Sequence, residues 1–243
     1  GPADISPETG SLGSTISGVD KNFKMPQVWK TSIAVDYKIP VSFPFTVTVE
    51  GIFNKMLNDV CIKDWSIKDV ATFNRFKGAD NRPIYEDYSL TYTNANGAEA
   101  QMPSAFVLTN TSKGYGWTFN VTLDAKPFDW MSLMAAYTHT ITKELSGMPG
   151  NDASSAYSNI PTVDGPNYAK LHNSGFLTPD RFLVSASIHD NAGNHYNLIY
   201  EASHGGTSYN YSACLTNDMN GDGFKSDLVY VPTDQEVANG EFR

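Results

Sequence analysis

Ten residues near the end of the chain carry the densest set of oxygen ligands. Asp218 to Asp227 reads D-M-N-G-D-G-F-K-S-D. Asp218, Asn220 and Asp222, with Gly223 after them, match the first half of an EF-hand-like calcium loop. Alternating side-chain oxygens can wrap a hard cation, and glycine at the sixth position permits the sharp turn. Phe224 would offer its carbonyl at the seventh position and Ser226 its hydroxyl at the ninth. The twelfth position is Val229, where a bidentate Glu is expected, and Asp227 is the one acid near enough to replace it. The competing reading is an Asx-rich turn with no ion. The candidate ligand set is therefore Asp218, Asn220, Asp222, Phe224, Ser226 and Asp227, with Ca2+ as the candidate cofactor.

No other group of residues suggests chemistry. His204-Gly205-Gly206 echoes an esterase oxyanion segment, but no G-x-S-x-G elbow accompanies it. His139, His172, His189, His195 and His204 show no metal-binding spacing. Cys61 and Cys214 form no C-x-x-C, and one disulfide and two thiols fit the sequence equally. The sequons at Asn110, Asn120 and Asn210 are three-residue matches that carry little weight by themselves. No enzyme is expected.

The elements that must position the acidic loop have a different signature. In Val28 to Tyr37, V-W-K-T-S-I-A-V-D-Y, Trp29, Thr31, Ile33, Val35 and Tyr37 fall on one face, and Lys30, Ser32, Ala34 and Asp36 on the other. The same alternation recurs over 45–53, 105–124, 130–142, 181–189 and 195–203. The third of these segments is interrupted near Gly114 and Gly116. Short turns at 38–44, 125–129 and 190–194 join the strands in pairs. Long polar stretches at 55–103, 143–179 and 203–243 separate the pairs, and residues 1–25 read as loop. Period two over about ten residues, with aromatics near both ends and loops sorted long and short, marks strands that cross an outer membrane. The predicted fold is all-β: antiparallel up-and-down strands of a transmembrane β-barrel, about six strands of a partial barrel with long extracellular loops. A soluble β-sandwich with one wet face is the alternative.

Composition agrees. The 243 residues include 13 Tyr and 13 Phe, and the net charge is −9 without any Lys/Arg cluster, so no nucleic acid is expected as a partner. No apolar run is long enough for a membrane helix, which does not bear on a barrel. Gly1-Pro2 looks like a protease scar, and the chain reads as an excerpt of a larger protein.

Three segments are familiar as residues. F-K-M-P-Q-V-W-K-T-S-I-A-V-D-Y (23–37), P-D-R-F-L-V-S-A-S-I (179–188) and N-G-D-G-F-K-S-D-L-V-Y-V-P (220–232) resemble the barrel of TonB-dependent receptors of the Bacteroidetes, in particular the Oar-like branch with its carboxypeptidase-regulatory-like domain. The resemblance implies a barrel of about 22 strands closed by an N-terminal plug. The present chain would supply part of the later barrel, without plug or N-terminal domain. It further implies location in the outer membrane, contact with its lipid, coupling to the TonB system and a surface lipoprotein partner. The function implied is uptake of a nutrient, whether glycan, peptide or chelate, bound by the extracellular loops. Trp65, Tyr85, Tyr157 and Tyr209 are the loop aromatics expected to stack on that ligand. The alternative function is a soluble surface β domain that binds glycans or a host protein.

Overall fold

The computed structural model describes residues 15–94, 96–204 and 218–240. Among these the chain is dominated by one open, nine-stranded sheet. Its lower part is a meander of six strands: β2 (Gln27–Lys38), β3 (Phe45–Asp64), β7 (Tyr115–Phe128), β8 (Met131–Glu144), β10 (Asp180–His189) and β11 (His195–His204). Each of these is antiparallel to the next, in that order. The expected strands at 28–37, 45–53, 130–142, 181–189 and 195–203 are therefore present. All-β is the observed class; the described sheet ends at β2 and β11 without meeting itself.

The registers align the alternating faces across all six strands. Val35, Val49, Val121, Tyr137, Phe182 and Ala202 form one row from edge to edge. One residue over, on the opposite face, the row is Ala34, Glu50, Asn120, Thr138, Arg181 and Ser203. A one-residue slip in any strand would put polar groups into the apolar row. The polar face is cross-linked: Thr48 donates to Asp36 at 2.6 Å, Thr138 to Asn120 at 3.0 Å, and Arg181 to Glu201 at 2.8 Å. The apolar face is bare. Trp29, Ile33, Val35, Tyr37, Trp117, Phe119, Tyr196, Leu198 and Tyr200 are all exposed, and no second sheet lies over them among the described residues.

Four expectations about boundaries need correction. The interruption expected in strand 105–124 is a full break at 112–114 that includes Gly114, between β6 (Ser104–Thr111) and β7, whereas Gly116 lies within β7. Both strands lie along β3, with Thr111 opposite Asp59 and Tyr115 opposite Lys55, so the break inserts no residue. Second, the turn placed at 125–129 is only Asp129-Trp130. Pro127, which has no N–H to give, is carried inside β7 at a register shift between Ala125 and Phe128. Third, residues 15–19 are not loop: β1 (Thr15–Val19) pairs in parallel with β6.

The fourth correction is the largest. The long stretches 55–103 and 143–179, expected to be irregular, hold most of the buried residues. The upper half of β3 continues to Asp64. Its adjacent residues Cys61 and Ile62 point to opposite sides and enter two clusters. Cys61, a free buried thiol, packs with Leu145, Ile160 and Ala169. Ile62 packs with Phe106, Ala156 and Tyr157. The same two stretches hold the small hairpin of β4 (Thr91–Thr93) and β5 (Glu99–Gln101), helix α1 (Ala153–Ser158) and the two-residue strand β9 (His172–Asn173). Asp152 and Ser155 form a reciprocal capping box at the start of α1. The hydrogen bonds to Ser155 hold the Asp152 carboxyl below its usual range. Beyond the acidic loop, helix α2 (Asp234–Ala238) is capped by Thr233 and Glu236 in the same way. We call the assembly of these segments with residues 218–231 the cap.

Candidate metal centre

The acidic loop sits inside the cap, clamped by chain segments distant in sequence. The Tyr85 N–H donates to the Asn220 carbonyl at 2.7 Å. Thr162 bridges to Asp227, accepting from the Leu228 N–H at 3.0 Å. The buried Arg82 guanidinium donates through Nη2 to the Leu228 carbonyl at 2.9 Å. The Phe224 ring meets Tyr157 edge-on at 5.3 Å. Loop, first long stretch and second long stretch thus converge on one point.

Within the loop the local hydrogen bonds follow the spacing of the acids. Asp218 Oδ1 accepts from the N–H groups of Asn220, Gly221 and Asp222, and its Oδ2 accepts from Gly223. Asn220 Oδ1 accepts from the Asp222 N–H at 2.9 Å, and Asp222 Oδ1 from the Phe224 N–H at 2.9 Å. Gly221 and Gly223 have φ of +84° and +86°, a region that other residues enter at a cost. The loop winds around its own carboxylates. One carboxylate oxygen from each of Asp218, Asp222 and Asp227 lies within 4.8 Å of the others.

Three acids so close, two of them buried, repel one another. Asp222 is pushed up to about 7, first by burial and then by the charges of Asp227 and Asp218. Asp227 is raised too, chiefly by burial, with Arg82 as a partial counterweight. Asp227 has another feature. Its Oδ2 accepts from the Met219 N–H at 2.9 Å, but its Oδ1 is buried with no partner, and so is Asn220 Nδ2.

Of the predicted ligand set, the fold brings Asp218, Asn220, Asp222 and Asp227 together. Phe224 and Ser226 belong to the same turn, where the Ser226 carbonyl accepts from the Thr162 N–H at 3.4 Å. Hard oxygen donors of this kind suit Ca2+ or Mg2+ rather than a thiol- or imidazole-loving metal.

The aromatic set fares differently. Tyr209 lies outside the described residues. Trp65 is exposed, as a ligand-stacking residue must be. Tyr85 and Tyr157 are not: they are 4% and 0% exposed. Tyr85 packs against Phe73 at 5.0 Å and Tyr88 at 5.6 Å, and donates to the Asp164 carbonyl at 2.7 Å. Tyr157 packs against Phe106 at 5.0 Å. Burial pushes both phenols up. They are framework of the cap, which corrects the expectation that they stack on a ligand. A tyrosine amid polar residues reads as exposed until the loop folds around it.

A cleft of about 440 Å³ opens elsewhere in the cap, between Glu144, Met148, Asn159, Ile160, His172 and Phe176. Phe176 is 93% exposed. The signal for it in sequence was the apolar pair Phe176-Leu177 in the polar run N-S-G-F-L-T.

No protein-family model matches the chain, and neither a curated protein nor a solved structure matches it significantly. No helix among the described residues is long and apolar enough to cross a membrane, which does not bear on crossing by strands.

Proposed function

We propose that the six-stranded meander is part of the wall of an outer-membrane β-barrel, and that the whole belongs to a TonB-dependent receptor that takes up a nutrient. The observation that carries the proposal is the bare apolar face. A fully exposed Val, Leu, Ile, Met or Phe forgoes about 1.5–3 kcal/mol, so about ten such side chains that are roughly half exposed forgo about 8–15 kcal/mol. That is comparable to the whole net stability of a domain, about 5–15 kcal/mol. Lipid removes the penalty, and the polar face then looks onto a wet or plugged lumen.

Two further features support this reading. Phe53 and Trp117 meet at 4.3 Å near the cap, and Phe128 stacks on Trp130 at 5.0 Å by the short turns. From Trp117 to Phe128 is about 36 Å along the strand, or about 27 Å along the normal at a tilt of about 40°. That is close to the height of the apolar band of such barrels, about 25 Å. Neighbouring strands from the rest of the barrel would cover β2 and β11, whose open edges otherwise invite aggregation. The cap would then face outward, with Phe176 and Trp65 as the apolar contacts for the nutrient. TonB coupling and a surface lipoprotein partner rest on the resemblance of the three segments named above.

The test is quenching of tryptophan fluorescence in vesicles whose lipids carry bromine at chosen depths. Trp117 and Trp130 should be quenched most by bromines near the headgroups. A chain that is a monodisperse monomer in plain buffer, with fluorescence untouched by brominated lipid, would end the membrane reading in favour of a soluble binding domain.

A further inference from the structure

We infer that residues 218–227 form a calcium site that fastens the three long stretches of the cap to one another. This stands independently of the membrane reading, because every group involved lies in the cap.

A cluster of acids can be a solvated turn, so the decisive atom is Asp227 Oδ1. The residue is 1% exposed, and this oxygen has no donor. The same cap shows what a purely structural buried carboxylate looks like. Asp64 is 3% exposed, and its Oδ1 accepts from the Ser66 N–H at 2.9 Å, the Ser66 hydroxyl at 2.6 Å and the Ala105 N–H at 2.9 Å. Asp227 has the Met219 N–H on Oδ2, with a weaker contribution from the Asn220 N–H, and nothing on Oδ1. An unsatisfied buried carboxylate oxygen is costly, and a cation is what commonly answers it.

The nearest protein cation does not supply the answer. Arg82 Nε is committed to Asp80 at 2.9 and 3.0 Å, and Nη2 to Leu228. Its Nη1 is itself buried without a partner and makes no hydrogen bond to Asp227. Arg82 is shared between Asp80 and the acids of the loop, so it offsets the charge of Asp227 only in part.

The donor chemistry then selects the ion. Asp218, Asn220 and Asp222 present oxygens at alternate positions, the Phe224 carbonyl and Ser226 hydroxyl follow, and Asp227 supplies the acid that the sequence spacing lacks at Val229. Oxygens on opposite sides of Ca2+ are about 4.6–5.2 Å apart, which accommodates three carboxylate oxygens within 4.8 Å of one another. Mg2+ demands a tighter octahedron and gives up its waters reluctantly, so it should bind more weakly.

Such an ion would work as a clasp. The loop it closes carries the Asn220 carbonyl that holds Tyr85, the Thr162 bridge and the Leu228 carbonyl that holds Arg82. Neutralising the acids removes the repulsion that opposes this closure. Binding therefore stiffens the stretches 55–103 and 143–179 together.

The experiment uses the full chain in detergent, stripped with chelator. Tb3+ is titrated in with excitation of tyrosine, since the Tyr88 hydroxyl borders the loop at Gly223. The expected results are sensitised Tb3+ emission, displacement by Ca2+ below about 1 mM, and displacement by Mg2+ only at concentrations at least about tenfold higher. Asp227→Asn and Asp222→Asn should each weaken Ca2+ at least about tenfold. Calcium should also slow tryptic cleavage of the wild-type cap. Absence of Tb3+ emission, or Ca2+ displacement only well above 1 mM, would overturn the site and leave the acids as a turn beside Arg82. Equal Ca2+ affinity in the two variants and the wild type would overturn it as well. If a variant fails to fold, the wild-type displacement and its ion selectivity decide alone.

Discussion

The six-stranded meander and the cap obey opposite rules of burial. In the meander, Ile33, Val35, Phe119 and Leu198 are exposed, and no large apolar side chain of its lower part is buried. In the cap, Arg82, Asp64, Asp222 and Asp227 are buried beside Tyr157 and Ile160. A single chain thus has one region that hides charge from water and another that shows grease to it. The cap is organised as water-soluble domains are, around a core, whereas the meander takes its order from backbone ladders and needs another medium for its apolar face.

The sharpest way to break that contrast is to remove the cap's central ring. Tyr157→Ala should cost about 3–5 kcal/mol of cap stability, because nothing nearby can fill the space between Phe106 and Phe224. Hydrogen exchange should then rise across 61–67, 104–108 and 153–160, while the amides of β7, β8 and β10 keep their protection. Equal loss in both regions would show that they are one cooperative unit.

A smaller effect distinguishes the two faces of the meander. Val121→Lys should cost about 2–4 kcal/mol in lipid if it sits near mid-depth, and Thr122→Lys, one residue on and facing the other way, much less. Folding into vesicles at graded urea reads the difference. If the two substitutions cost the same, the faces are not in different media.

Smaller again, Asp152→Ala removes the side-chain half of the capping box and should cost about 0.5–2 kcal/mol, seen in the cap's unfolding alone.

The mildest lever is pH. In the metal-free chain Asp222 is raised to about 7 from an ordinary 3.8, so between those values the folded cap holds a proton that the unfolded chain has released. Its contribution is therefore fully present below about pH 4 and is lost as pH rises through about 7. Calcium competes with the same proton, so its affinity should climb up to about pH 7 and level off above. Unfolding curves at pH 5 and 8, with chelator and with Ca2+, should show the stability trend reversing. The same trend in both would sink the link between Asp222 and the ion.

How much of this was legible beforehand depends on what a residue's neighbours owe to local spacing. Val28 to Tyr37 announces its strand because each side chain alternates between two media, and period two survives in one dimension. The upper half of β3 does not. Asn54-Lys55 and Met56-Leu57 break the alternation, and Cys61-Ile62 are apolar together because that half is packed on both sides. Tyr85 and Tyr157 misled for the same reason, being surrounded by polar residues in sequence and by rings in space. The acidic loop stands between. Its oxygen spacing was visible, including the missing acid at Val229, but only folding brought Asp227 beside Asp218 and Asp222.

By itself the sequence determined the six-strand meander, its two faces and which strands the short turns join, since ladder pairing and side-chain alternation are local consequences of residue order. The tertiary structure decided that the long stretches condense into a cap, that two tyrosines are its framework, and that one carboxylate oxygen is left buried without a donor. Those facts depend on contacts between residues more than a hundred positions apart, such as Asp64 with Asn167 and Arg82 with Leu228, and no local pattern encodes them.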